Sequence, residues 1–366
     1  MITYQFRIYP TKKQCREINL QLEEHKKLYN YCLRFKSKLY KIFKKNYSVF
    51  DLAKRFVPKF KHYSNYSSLQ QTVRRLDKSY KYFFKHGGFP RFKKRFNTIE
   101  YAKHGDGCKF NNNKSLVYLQ NIGKIKVVVH REIKYNIKTI SITRKNNQYY
   151  INLICETPIW FNNLVKDYKD VVGIDFGIKN LITTSDNEQI IAPKPLSLKL
   201  KQLAKAQRKK NYKVANKIYT KVSNIRKDFN HKLSRKLVDK YDVICLEDIK
   251  VKDWLTNIRN INRTISDINI GQLINFISYK AESANKKVIF VNPAYTTQEC
   301  SNCGKYIKKD IKERNHICDC GFNCDRDLNA GFNIKRLGLQ SLLQLEAPEF
   351  ILESNHCGST LKIIYI

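Results

Sequence analysis

Between residues 300 and 321 the chain places four cysteines in two closely spaced pairs. These are Cys300-Ser301-Asn302-Cys303-Gly304 and Cys318-Asp319-Cys320-Gly321, with fourteen residues between the pairs. Two such pairs across a short loop, each followed by glycine, are the signature of a zinc ribbon, a metal-stapled hairpin. Glycine lets the backbone turn tightly enough for its amides to face the thiolates. Cys300, Cys303, Cys318 and Cys320 are therefore the expected ligands of a structural Zn²⁺. The second knuckle is a CxC rather than the commoner CxxC. Cys324 stands near enough to compete for the metal, but its expected role is that of an apolar filler. Four protein thiolates leave no open position for water, so the zinc is assigned no chemistry. Cys32, Cys155 and Cys245 lie in otherwise apolar stretches, which suits a reducing compartment rather than a disulfide framework.

The charge points to a polyanionic partner. Seventy Lys and Arg against thirty-one Asp and Glu leave a net charge of +39 in 366 residues. Such a surface repels itself strongly unless a polyanion lies on it, and nucleic acid binds such surfaces through counterion release. A Lys- and Asn-rich composition alone would inflate lysine but would not also deplete the acids. The hydrophobic fraction of 42%, with 20 Phe and 23 Tyr, is enough for real cores, and the length suits two or three domains. Met1–Pro10 alternates polar and apolar residues and is not a secretory signal. No apolar run approaches the length of a membrane span.

Ile2, Tyr4, Phe6 and Ile8 alternate with polar residues and read as a half-buried strand, ended by Pro10. Thr11-Lys12-Lys13-Gln14 has capping-box spacing and opens a helical region that runs to about Lys85. At His86-Gly87-Gly88-Phe89-Pro90 that pattern stops. Residues 99–157 then read as strands, among them Val127–Val129, Thr139–Thr143 and Tyr149–Ile154, with a hairpin turn at Asn146-Asn147. The N-terminal half is thus a β-rich unit carrying an inserted helical bundle. From about Asp170 short apolar strands alternate with helices, which implies an α/β sheet. Its strands are Val171–Asp175, Val243–Glu247 and Val288–Val291. A helical stretch covers 192–240, with 16 Lys or Arg in 194–240 against Asp228 and Asp239, and another surrounds Leu273–Lys280. The segment from Leu337 to Ile366 has weak periodicity and is expected to be a loosely held, disordered tail.

Asp175 and Glu247 each end an apolar strand, and in an α/β sheet ligands collect at the carboxyl edge. An unpaired carboxylate there is costly, so it ordinarily binds a cation or a base. Cleavage of a phosphodiester by two metal ions needs several acids converging on hard cations such as Mg²⁺ or Mn²⁺. The third acid should come from another element, and Asp327 in Asp325-Arg326-Asp327-Leu328-Asn329-Ala330 is the candidate, with Asp325 as a pairing acid. Each of these acids alone also reads as a strand end or a cap; the three together carry the chemistry.

Three segments in order carry a resemblance: Gly173-Ile174-Asp175-Phe176-Gly177-Ile178-Lys179-Asn180, then Leu246-Glu247-Asp248, then the cysteine ribbon running into Asp325–Ala330. Together they resemble the TnpB family of insertion-sequence proteins, relatives of type V CRISPR effectors and Fanzor proteins. Phe6-Arg7-Ile8-Tyr9-Pro10-Thr11, Leu69-Gln70-Gln71, Arg75-Leu76-Asp77-Lys78 and Phe89-Pro90-Arg91-Phe92-Lys93 extend the likeness into the N-terminal half. The resemblance covers roughly residues 1–336. It implies a wedge-type β-barrel (1–10 and 87–169) with an inserted helical recognition bundle (11–86). A split, RNase H-like RuvC nuclease domain (170–297 and 321–336) follows, carrying the zinc ribbon (298–320). The implied activity is RNA-guided DNA cleavage, with a guide RNA from the transposon end and double-stranded target DNA as partners. Asp175, Glu247 and Asp327 are the implied Mg²⁺ ligands and catalytic acids, and the ribbon holds Asp327 against the sheet. The rival readings are a strand-joining transposase, a guided binder that represses without cutting, and a zinc-ribbon nucleic-acid-binding protein without catalysis. Tyr80, Tyr82, Phe83, Phe89 and Phe92, interleaved with Lys and Arg, either pack in the core or stack on exposed bases.

Overall fold

The computed structural model of the chain describes residues 1–44, 46–156, 168–249, 254, 259–310 and 313–346. They fall into two compact units, Met1–Ile159 and Trp160–Ile366.

In the first unit, strand β1 (Ile2–Tyr9) buries Tyr4, Phe6 and Ile8 on one face, as the alternation requires. Helix α1 (Lys12–Phe43) then starts on a complete capping box. The Gln14 amide donates to the Thr11 hydroxyl oxygen, and the Thr11 amide donates to the Gln14 side-chain carbonyl at 2.9 Å. Helices α2 (Val49–Phe56) and α3 (Tyr66–His86) complete the helical insert. They share a core with α1 made of Leu28, Leu33, Leu52, Phe56, Leu69 and Leu76.

Strands β2 (Thr98–Tyr101), β3 (Cys108–Asn111), β4 (Leu116–Leu119), β5 (Gly123–Val128), β6 (Ile137–Lys145) and β7 (Gln148–Cys155) join β1 in a seven-stranded sheet. Its order is β2-β6-β7-β1-β5-β4-β3, with every pairing antiparallel. Asn146 and Asn147, at φ 51° and 61°, form the β6–β7 turn, the double left-handed geometry of a tight hairpin. Side chains from all seven strands meet in one apolar core. The ladder nevertheless ends at β2 and β3, so among the described residues its hydrogen bonding is that of an open sheet rather than a closed ring.

In the second unit, β8 (Val171–Phe176), β9 (Ile182–Thr184), β10 (Gln189–Ile190), β11 (Val243–Glu247) and β12 (Lys287–Val291) form a mixed sheet of order β10-β9-β8-β11-β12. The β8, β9 and β10 neighbours are antiparallel, while β8–β11 and β11–β12 are parallel. One face, through Val172, Ile174, Ile244 and Leu246, packs on α5 (Tyr212–Lys240) and α7 (Ile270–Ser283). The other face is covered by α8 (Arg326–Glu346). The helical stretch expected over 192–240 is two helices, α4 (Pro195–Arg208) and α5. They part where Lys210 turns left-handed and Asn211 caps the second, accepting from the Val214 amide at 3.1 Å. An additional short helix, α6 (Arg259–Ile268), precedes α7. The tail expectation is corrected for residues 337–346. They continue α8, with Leu342 buried and Gly338 lying against Cys245. Residues 347–366 lie outside the described residues.

Candidate active site and metal centre

Register brings two of the acids side by side. On β8 and β11, Ile174 pairs with Leu246, so Asp175 and Glu247 occupy the next step on adjacent parallel strands, roughly 4.8 Å apart in the pairing direction. Alternation puts Val171, Gly173 and Asp175 on the same face as Val243, Cys245 and Glu247, the face that α8 covers. α8 lies very close to that face. A Cβ on Gly173 would fall 2.0 Å from the Gly331 carbonyl oxygen, and one on Gly338 would fall 2.2 Å from the Cys245 sulfur. Only glycine allows this approach, and it sets the first turn of α8, which carries Asp327, over the carboxyl ends of β8 and β11.

Asp175 and Glu247 are each 8% exposed. Burial, then the neighbouring Glu247 and Asp327 carboxylates, push the Asp175 carboxyl well above its ordinary range, partly offset by the Arg326 guanidinium. Burial also raises Glu247, against the stabilising hydrogen bond that the Thr296 hydroxyl donates to its Oε1 at 2.6 Å. Asp327 faces two guanidiniums, Arg326 at 3.4 Å and Arg314 at 3.7 Å. Asp325 is the N-cap of α8, its Oδ1 accepting from the amides of Asp327 at 2.8 Å and Leu328 at 3.4 Å. The three acids are therefore brought together, and Asp325 is held apart as a capping group.

The four predicted cysteines also converge. Their sulfurs lie within 4.8 Å of one another, an arrangement that can hold a metal ion such as zinc. Gly304 and Gly321 adopt φ of 76° and 85°, the left-handed turns that the sequence required of them. The Asn302 side chain and the Phe322 amide draw the Cys320 thiol down to about 6, toward the thiolate that binds metal. Cys324 stands outside the set, its sulfur 3.3 Å from the Asp325 carbonyl oxygen. Among the described residues this is the one group of three or more potential ligands drawn so tightly together; the three carboxylates are not a set of that tightness.

Sequence reasoning missed the polar links between the two centres. Asn329 and Asn333, both fully buried on α8, hold the approach to the first knuckle. Asn329 donates to the Glu299 carbonyl at 2.8 Å and accepts from the Ser301 amide at 3.0 Å. Asn333 donates to the carbonyls of Thr296 at 2.9 Å and Glu299 at 2.8 Å. Thr296, the residue bonded to Glu247, thus belongs to the same network. The available signal was the polar run Thr296-Thr297-Gln298-Glu299 wedged between an apolar strand and Cys300.

A mixed α/β sheet with clustered carboxylates at its carboxyl edge, joined to a four-thiol hairpin, defines a class of acid-centred α/β proteins with an inserted cysteine module. Comparison with known proteins narrows the class. Three family models match in order: "Helix-turn-helix domain" over residues 1–45, "Probable transposase" of the OrfB/IS605 type over 161–257, and "Cas12f1-like, TNB domain" over 271–334. In this chain the first of these segments folds as β1 followed by the single helix α1. The "Putative RNA-guided DNA endonuclease InsQ" of Escherichia coli (strain K12) is 27% identical over 299 residues, 74% of each chain. TnpB-like protein L79 of Acanthamoeba polyphaga mimivirus is 29% identical over 202 residues, 48% of this chain and 39% of that one. The solved structure of the mini-RNA-guided endonuclease CRISPR-Cas phi3 shares the fold, with TM-score 0.51 at 10% identity over 92% of both chains. The chain is similar to transposon-encoded proteins of the TnpB type across both of its units.

Proposed function

We propose that the chain is an RNA-guided DNA endonuclease encoded by a transposable element, hydrolysing DNA through a RuvC-type carboxylate centre. The observation that carries this reading is the meeting of Asp175, Glu247 and Asp327, from three elements far apart in sequence, at the carboxyl edge of one sheet. The strand order β10-β9-β8-β11-β12, with three antiparallel strands followed by two added in parallel, supports an RNase H-like nuclease domain, and the seven-stranded antiparallel N-terminal sheet with its helical insert supports a wedge and recognition module. Relatives named as RNA-guided DNA endonucleases support guide RNA and target DNA as partners.

The donor set fits divalent cations. A buried carboxyl whose proton affinity is raised by burial and by two neighbouring carboxylates is stabilised as an anion by a hard cation, and all-oxygen ligands suit Mg²⁺ or Mn²⁺. Asp175, Glu247 and Asp327 would hold the ions, which when bound supply an activated water and stabilise the leaving oxygen. Thr296 orients Glu247 by its hydrogen bond. Arg326, beside Asp327 and Asp175, offsets part of the negative charge of the cluster. The four cysteines would hold a structural Zn²⁺ that fixes the start of α8 through Asn329 and Asn333.

The test is cleavage of a plasmid matched to the RNA that co-purifies with the protein, in Mg²⁺. Asp175→Ala is expected to lose cleavage by several orders of magnitude while still binding the RNA. Undiminished cutting by this variant would remove the carboxylate centre from the reaction. Joined rather than cut products would instead identify a transposase.

A further inference from the structure

The first unit contains a cavity of about 440 Å³ between α1, α3 and the turn that follows α3. Arg75, Lys78, Arg91 and Lys93 line it together with Tyr82 and Phe89. Its volume is that of small-ligand sites, but its lining is not that of an apolar one. Four cations converge, and among the described residues none of them has a carboxylate at ion-pair distance. The one acid of α3, Asp77, is taken by Lys81 at 3.1 Å. A cluster of like charge around one concavity attracts an anion into it.

The aromatic residues of this region divide into two sets. Tyr80 is buried and Phe83 half-buried, both packed in the helical core, whereas Phe89 is 51% exposed and Tyr82 62% exposed. Large apolar rings left open beside cations suit a flat, apolar ligand face attached to an anion. The walls are fixed in advance. Asn30 on α1 grips the backbone of Lys93 from both sides, donating to its carbonyl at 2.9 Å and accepting from its amide at 2.8 Å. Gly87 and Gly88, at φ 76° and 85°, make the turn that brings Phe89 back to the helix, where its ring meets Tyr80 edge-on at 5.7 Å.

We propose that this pocket seats one unpaired nucleotide of a bound strand, with its phosphate among Arg75, Lys78, Arg91 and Lys93 and its base on the rings of Phe89 and Tyr82. A paired base has both faces covered by its neighbours, so only an unstacked nucleotide offers a free face to these rings. The proposal rests on the nucleic-acid reading above only for the source of the strand, and the shared chemistry of RNA and DNA, a phosphodiester carrying a base, is what the pocket recognises.

The experiment uses the full chain, freed of nucleic acid at high salt, and three fluorescein-labelled single strands of one length. These are a mixed-sequence RNA, its DNA counterpart, and the DNA backbone carrying abasic sites in place of bases. The base-bearing strand is expected to bind about tenfold more tightly than the abasic one, the scale of one base–aromatic stack. Phe89→Leu, which keeps the packing against Tyr80, and Tyr82→Ala at the surface should each erase most of that advantage. The pair Arg75→Gln/Lys78→Gln should weaken every strand. Lys205→Gln/Lys209→Gln, an equal charge loss on α4 and the residue that follows it in the other unit, should leave the advantage intact. A preference between the RNA and DNA arms identifies the source. An advantage of bases over abasic sites that survives both aromatic variants overturns the pocket. Plasmid cleavage on the same preparations separates the two readings. Base-dependent binding without any cutting overturns the nuclease and leaves the pocket standing. Cutting with no base-dependent binding does the reverse.

Discussion

At the scale of single residues, the carboxylate centre is a place where stability has been given up. Asp175 is buried beside Glu247 and Asp327, and burial together with these neighbours works against its ionised form. Asp175→Asn removes the charge at nearly constant shape. In chelator, the variant is expected to unfold at higher temperature than the parent, by about 1–2 kcal/mol of added stability, while losing cleavage. Adding Mg²⁺ should raise the melting temperature of the parent more than that of the variant, because only the parent retains the full ligand set. Calorimetry with and without Mg²⁺ checks both. An unchanged or lowered melting temperature in chelator would show that the charge is compensated locally. Asp175 and Glu247 were legible in the sequence only as a set, because each closes an apolar strand and the two stand in order before the cysteine ribbon and Asp327, whereas either acid alone also reads as a strand end. Thr296 was not, since a threonine beside a strand end carries no signal until the fold shows that its hydroxyl meets Glu247.

At the scale of elements, patterns that depend on neighbours along the chain were readable, and those that depend on neighbours in space were not. The capping box at Thr11 and the Asn146-Asn147 turn are local chemistry, and the structure has both. The far half of α8 was invisible for a physical reason. Its buried positions are Gly338 and Leu342, so a glycine stands where the helix presses on the sheet and interrupts the apolar period. A buried polar position governs the pH response of the helical insert. His25 on α1 is fully buried, bonded to the Thr72 hydroxyl on α3 at 2.5 Å and stacked on Phe96. Burial, with the Arg75 guanidinium nearby, lowers its pKa to about 3. The unfolded chain therefore binds a proton below pH about 6.5 that the folded insert refuses down to about 3, and stability falls as pH falls through that window, by up to about 1.4 kcal/mol per unit. Urea midpoints measured between pH 7 and 4 should decline more steeply for the parent than for His25→Gln. Parallel slopes would assign the acid sensitivity to other groups.

At the scale of the whole molecule, two separate demands act on one chain. The cysteine hairpin is tied to α8 by Asn329 and Asn333, and α8 carries Asp327, so losing the metal should loosen an acid of the centre without touching it. Cys303→Ser is expected to lose the bound metal, measurable by elemental analysis, and to lower cleavage at least tenfold. Binding of single strands, which the first unit supports, should remain.

Charge supplies the second demand, and it was legible from composition alone. With +39 spread over 366 residues, the affinity for any nucleic acid must be dominated by released counterions. Neutralising about 6–10 phosphates on a duplex would weaken binding by about 10³–10⁵ between about 50 and 200 mM salt, with log affinity falling linearly against log salt. A base-stacking contribution adds a term that salt does not screen. Fluorescence anisotropy across that range should therefore give parallel lines for base-bearing and abasic strands, offset by a constant factor, since both present the same phosphates. A shallow slope would mean that the lysines are a solvated coat rather than a binding surface. The charge would then have to be explained by something other than a polyanion partner.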